Sequence, residues 1–166
     1  MCARTRITGA TGRLGRQIAE AIAGRGDEIV NDNDCLNYLV FAHRYRGEDS
    51  FQAEMDVNLR RVIFDVSAAS WGVGDRAIVL ISSIDADSPN PNQSLGYNIS
   101  KAGLNQFARY YAKLDKVRIN CVSPATFTGD NPDVSAVEVA NVVLFLCSDK
   151  STGINGQNIK VTGRLK

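Results

Sequence analysis

The chain has 166 residues, 44% of them apolar, and its 19 basic and 18 acidic side chains leave a formal charge of +1. That length suits one domain with a substantial core, so 1–166 reads as a single unit. The even charge balance argues against nucleic acid or an anionic membrane as partner, and no run of residues reads as a signal peptide or a membrane span.

Cys2, Cys35, Cys121 and Cys147 form no CxxC pair, and His43 is the only histidine, so no metal site and no histidine-based hydrolytic triad is expected. Scattered thiols suit a reducing cytoplasm, and the expected partner is a small molecule or another copy of the chain.

Along the chain the periodicity alternates between strand and helix, the pattern of a parallel sheet covered on both faces. Arg4 to Thr8 reads as a first strand, and Leu14, Ile18 and Ile22 recur at helical spacing until Gly24 and Gly26. Glu28 to Asn31 and Tyr38 to Ala42 are the next strands. From Phe51 to Ala69 a helix is predicted, with Met55, Leu59, Val62, Ile63 and Val66 on its inner stripe.

Ala77 to Ile81 ("AIVLI") has the continuous apolar character of a strand buried on both faces. A helix follows from about Ser94 to Leu114, its core stripe running through Leu104, Phe107, Tyr111 and Leu114. Val117 to Val122 is a strand, and Ser135 with Glu138 is a capping-box pattern that opens a last helix burying Val139, Val143 and Leu146. Asn158 to Val161 is the final strand.

Three stretches carry chemistry. In "ITGATGRLGRQIA" the glycines Gly9, Gly12 and Gly15 join a strand to a helix, so backbone N–H groups and a positive dipole end can meet a diphosphate. The predicted nucleotide-binding set there is Gly9, Thr11, Gly12, Arg13, Leu14 and Gly15. In "VNDND", Asp32 can accept hydrogen bonds from an adenosine ribose and would repel a 2′-phosphate, which tilts the expectation toward NAD. Arg13 could bind that phosphate instead, so NADP stays open. In "YNISK", Tyr97 and Lys101 lie one helical turn apart on one face, where an ammonium can favour the phenolate.

With "DVNLR", "ISS" and "RINCVSPATFTGD" in this order, the chain resembles the short-chain dehydrogenase/reductase family over nearly its whole length. The resemblance implies a Rossmann-type, doubly wound α/β parallel sheet and an NAD(P)-dependent oxidoreductase interconverting a carbonyl and a secondary alcohol. It implies Tyr97 as general acid/base and Lys101 as the residue that lowers the tyrosine pKa and holds the nicotinamide ribose. Ser83 would bond the substrate oxygen, Asn58 would anchor a water, and Pro124 with Thr126 or Thr128 would meet the nicotinamide end. A homodimer or homotetramer is implied as well. A nucleotide-binding sensor or assembly subunit without turnover is the alternative, and a sugar-nucleotide epimerase or dehydratase is a third reading.

Three departures bear on this. Phe41, Ala42, His43 and Arg44 stand where the family has Asn-Asn-Ala-Gly, and the two bulky polar side chains should crowd the cofactor; His43 is expected at the surface, with contact to the cofactor or a partner chain as the alternative. Between "EIVNDND" and "YLVFA" there is no room for the usual helix, edge strand and helix. About six strands are therefore expected, with Asp32 to Asn37 as a taut link, since six extended residues reach only about 20 Å. The segment from "SPATFTGD" to the last helix is too short for the usual cover over the substrate.

Overall fold

The computed structural model describes residues 2–48, 50–114, 117–126 and 132–163. Among these, no helix is long and apolar enough to cross a membrane. Six strands form one sheet, β1 (Arg4–Thr8), β2 (Glu28–Val30), β3 (Tyr38–Phe41), β4 (Ala77–Ile81), β5 (Arg118–Pro124) and β6 (Asn158–Val161). All pairings are parallel, in the order β2-β1-β3-β4-β5-β6. This is the expected abbreviated Rossmann-type sheet. Strands β3, β4 and β5 are buried at every position; β3 and β4 read as apolar runs for that reason, while β5 buries Arg118, Asn120 and Ser123 with hydrogen-bond partners.

Helices α1 (Arg13–Gly24) and α5 (Ala136–Leu146) cover one face, where Ile18, Ile22, Val139 and Val143 pack on Ile7, Val40 and Val79. Helices α3 (Arg61–Ser67) and α4 (Leu95–Tyr111) cover the other, where Val62, Val66 and Leu104 pack on Leu39, Phe41, Ile78 and Leu80. Ser135 and Glu138 form the capping box of α5 as the pattern predicts.

Two helical stripes differ from the periodicity. The segment predicted as one helix is α2 (Phe51–Met55), a π turn (Asp56–Arg60) and α3. A π turn takes in an extra residue and so advances the helix phase. Ile63 therefore turns outward while Asp65 is buried. On α4 the helix ends three residues early, and Leu114 is exposed rather than in the core.

The link after β2 is the taut, irregular connection that its length demands. Cys35 takes a positive φ of 52°, buried Leu36 bonds the Ser70 carbonyl (2.9 Å), and the Asn37 N–H reaches the Arg4 carbonyl (2.9 Å). The link leaves one flank of β1 without a covering helix, and that flank carries arginines. Arg6 bonds Asn33 and stands 3.9 Å from Asp65, and Arg4 pairs with Asp32 (3.1 Å) at the charged β2 edge.

Candidate active site

The glycine turn lies where β1 meets α1. Gly9 has φ +78°, and a Cβ there would stand 2.8 Å from the His43 nitrogen; a Cβ on Gly15 would stand 2.0 Å from the Gly9 carbonyl oxygen. Only glycine fits either place. Gly12 is the N-cap of α1 and supplies no side-chain cap, so the first N–H groups of the helix, on Arg13, Leu14 and Gly15, lack the usual capping oxygen. Thr11 is exposed beside them.

At the carboxyl ends of β4 and β5 the catalytic candidates converge. Ser94 caps α4, its Oγ accepting from the Tyr97 N–H (3.0 Å), which sets Tyr97 in the first turn and Lys101 one turn later. Both point inward, with Tyr97 8% and Lys101 3% exposed. The Tyr97 phenol faces Ser83, whose side chain favours its ionised form. Lys101 Nζ donates to the Ile81 carbonyl (2.8 Å) and lies 5.7 Å from the centre of the Tyr97 ring. Ser83 and not Ser82 meets the phenol; Ser82 Oγ donates to the Lys101 carbonyl (3.0 Å) and holds α4 on the sheet. Ser83 in turn donates to Asp85 Oδ2 (3.1 Å) and accepts from the Asp85 N–H (3.2 Å).

Asn58 sits inside the π turn, buried at 1% exposure rather than solvated. Its Oδ1 accepts from the Tyr45 N–H (2.7 Å), and its Nδ2 donates to Glu54 and to Ser100 Oγ (3.3 Å). Glu54, itself 5% exposed, also accepts from Ser94 Oγ (3.2 Å). Asn58 thus ties the chain leaving β3 to α2 and α4. The buried glutamate was not singled out by sequence reasoning, although its four-residue step to Asn58 was a legible signal.

The electrostatics differ from expectation. Burial pushes the Tyr97 phenol above its usual value; the Ser83 side chain and then the Arg44 charge pull it down, while Asp85 and Glu54 raise it. Arg44, rather than Lys101, is the leading charge that lowers it. Burial, followed by the charge of Arg44, brings Lys101 down to about 8. Its ammonium is turned to the Ile81 carbonyl. The cation on the phenol is Arg44, whose guanidinium lies 4.6 Å from the ring centre. The sequence marked Arg44 as a departure but did not place it there.

His43 is not a surface residue. It spans from Thr8 Oγ1 (2.7 Å, to Nδ1) to the Val57 carbonyl (2.9 Å, to Nε2), and its burial lowers its pKa. It forms part of a cleft of about 730 Å³ together with Thr8, Gly9, Asn31, Val57 and the arginines of β1 and α3. Asp32 is turned to Arg4, and Arg13 lines a different hollow between α1 and α5. Pro124 is buried at the end of β5, Thr126 is exposed beyond it, and Thr128 lies outside the described residues.

A family model described as enoyl-(acyl carrier protein) reductase matches residues 42–133. The 3-oxoacyl-[acyl-carrier-protein] reductase FabG of Thermotoga maritima is 31% identical over 168 residues, taking in 86% of this chain and 67% of that one. FabG of Rickettsia felis is 32% identical over 161 residues, 82% of this chain and 66% of that one. The chain belongs to the short-chain dehydrogenase/reductase family. It spans about two thirds of the length of these relatives. The Thermotoga alignment runs over more positions than the chain has residues, so this family member lacks residues internally that the relative carries.

Among solved structures, a short-chain dehydrogenase/reductase of the glucose/ribitol dehydrogenase type from Brucella melitensis superposes with a TM-score of 0.79 at 20% identity, over 97% of this chain and 95% of that one. The angucycline C-6 ketoreductase LanV with bound NADP gives 0.79 at 20%, over 95% and 93%. These likenesses extend to the fold.

The residues fit a dinucleotide at two places. The uncapped start of α1 beside Gly9 and Gly12 is a cradle for a diphosphate, and the cleft along Thr8, Gly9 and Asn31 has room for a nucleoside. At the third place, beside Tyr97 and Lys101, the Arg44 side chain narrows the approach.

Proposed function

We propose that this family member is an NAD(P)-dependent oxidoreductase that interconverts a carbonyl and a secondary alcohol, with Tyr97 as its general acid/base. The observation that carries the reading is the buried Tyr97 phenol facing Ser83 with Lys101 one turn away. The nicotinamide, when bound, supplies or accepts the hydride. The N–H groups of Arg13, Leu14 and Gly15 would hold its diphosphate, Lys101 its ribose hydroxyls, and Pro124 and Thr126 flank its far end.

The chain's own residues handle the oxygen and the proton. The phenol is protonated at neutral pH, so Tyr97 holds the proton that its Oη would donate to a carbonyl oxygen; the raised pKa makes it a weak acid until Arg44 or a bound ligand offsets the burial. Ser83 accompanies that hydroxyl, so a carbonyl oxygen placed there meets two hydroxyl groups. For Ser83 to donate to it, the serine proton must leave Asp85. Arg44 covers one face of the Tyr97 ring, and its one hydrogen bond among the described residues is to the Tyr45 carbonyl at 3.4 Å. Such an exposed cation–π contact holds about 0.5–1 kcal/mol, so the arm can swing aside for a ligand.

The test is binding first and chemistry second. Fluorescence titration should show saturable binding of NADH or NADPH, and a panel of ketones and β-keto esters should be reduced by wild type but not by Tyr97→Phe. Absence of binding by either nucleotide removes the proposal; binding without turnover of any carbonyl or alcohol supports a sensor or assembly subunit instead.

A further inference from the structure

Discrimination between NAD and NADP happens at the adenosine ribose, and neither residue that the sequence offers for it faces the cleft. The Asp32 carboxylate is taken by Arg4 Nη2 at 3.1 and 3.2 Å and also accepts from the Asp34 N–H (3.1 Å). Arg13 lines the hollow with Arg16, Gln17 and Ser135. What faces the cleft across from Gly9 and Asn31 is the wall made by the π turn and α3, with Arg60 and Arg61 on it.

Each of these arginines is steadied by an acid one turn away through the same atom. Arg60 Nε stands 2.9 Å from Asp56 Oδ1, and Arg61 Nε stands 2.9 Å from Asp65 Oδ1. Among the described residues, the terminal guanidinium nitrogens of both make no hydrogen bond. Their side chains are 79% and 62% exposed, so a ligand in the cleft can reach them. Two forks held at the base with free tips suit a phosphate monoester, whose oxygens accept parallel N–H bonds; a ribose hydroxyl has no charge to offer them. The wall is open because the short link after β2 leaves that flank of β1 without a helix.

We propose that Arg60 and Arg61 select an adenosine nucleotide phosphorylated on its ribose, so that the chain takes NADP(H) in preference to NAD(H). This rests on the nucleotide-binding reading above and adds its selectivity.

The experiment compares NADPH with NADH by fluorescence titration, and 2′,5′-ADP with 5′-ADP by thermal shift, since the latter pair carries only the adenosine end. NADPH should bind at least about tenfold more tightly than NADH, the scale of a lost charge-assisted pair. Arg60→Gln with Arg61→Lys, in which the lysine keeps a cation beside buried Asp65 but loses the fork, should bring the two nucleotides within about threefold, chiefly by weakening NADPH. NADH binding as tightly as NADPH to wild type overturns this inference alone, as does an undiminished preference in the double variant. If neither dinucleotide nor 2′,5′-ADP binds, the inference and the nucleotide-binding reading fall together.

Discussion

Replacing Lys101 by methionine should make the protein more stable at neutral pH while abolishing its turnover. The ammonium is 3% exposed, and its pKa falls from 10.5 to about 8, chiefly through loss of water. At about 1.36 kcal/mol per tenfold change in proton affinity, that burial costs on the order of 3 kcal/mol at pH 7, where the lysine is charged both folded and unfolded. Methionine keeps the stem volume and removes the charge, but it also removes the bond to the Ile81 carbonyl, a loss of about 1 kcal/mol. A net gain of about 1–2 kcal/mol is therefore expected.

The gain should depend on pH in a defined sense. Because the folded pKa is depressed, the unfolded chain binds more protons between about 8 and 10.5, and wild-type stability from this residue rises across that window. Urea denaturation of wild type and Lys101→Met at pH 7 and pH 10 measures both effects: the variant leads at pH 7, and the lead shrinks as pH rises. A variant less stable than wild type at pH 7, by a margin that ignores pH, would show that the lysine is satisfied in place and that its desolvation has been misjudged.

Tyr97→Phe removes only the hydroxyl that faces Ser83, so its melting should lie within about 1 kcal/mol of wild type, with nucleotide affinity within about twofold and turnover reduced at least about a hundredfold. Gly15→Ala forces a methyl to within 2.0 Å of the Gly9 carbonyl oxygen; a loss of about 3 kcal/mol or failure to fold is expected in a thermal melt, and a wild-type melt would mean that the turn is looser than the geometry shows. Asn58→Leu strands the Tyr45 N–H and takes one donor each from Ser100 and the buried Glu54 carboxylate, and chemical denaturation should report a loss of about 2–4 kcal/mol. A loss under about 0.5 kcal/mol would mean that water replaces the amide.

Much of the molecule is written locally. The apolar runs of β3 and β4, the spacing of Leu14, Ile18 and Ile22, and the Ser135–Glu138 cap each depend on near neighbours in the chain, and each appears where its pattern puts it. The Tyr97 and Lys101 pair is likewise a helical step, and the glycine turn a local backbone demand. Motif order was enough for the family, and the strand order came with that resemblance, since right-handed crossovers alone allow more than one order.

Other features needed the chain to be folded. Whether Asp32 or Arg13 faces the nucleotide cleft depends on which distant charge each one meets, and Arg4 and the α1–α5 hollow lie elsewhere in three dimensions. The π turn moved Ile63 out and Asp65 in, a phase change that no residue in "DVNLR" announces. Arg44 came to lie on Tyr97, 53 positions further along, and burial by the whole core set the direction of the pKa shifts of Tyr97 and Lys101. Periodicity records which face of an element is apolar; what stands opposite a charged or titratable group, and how much water reaches it, is a property of the assembled layers.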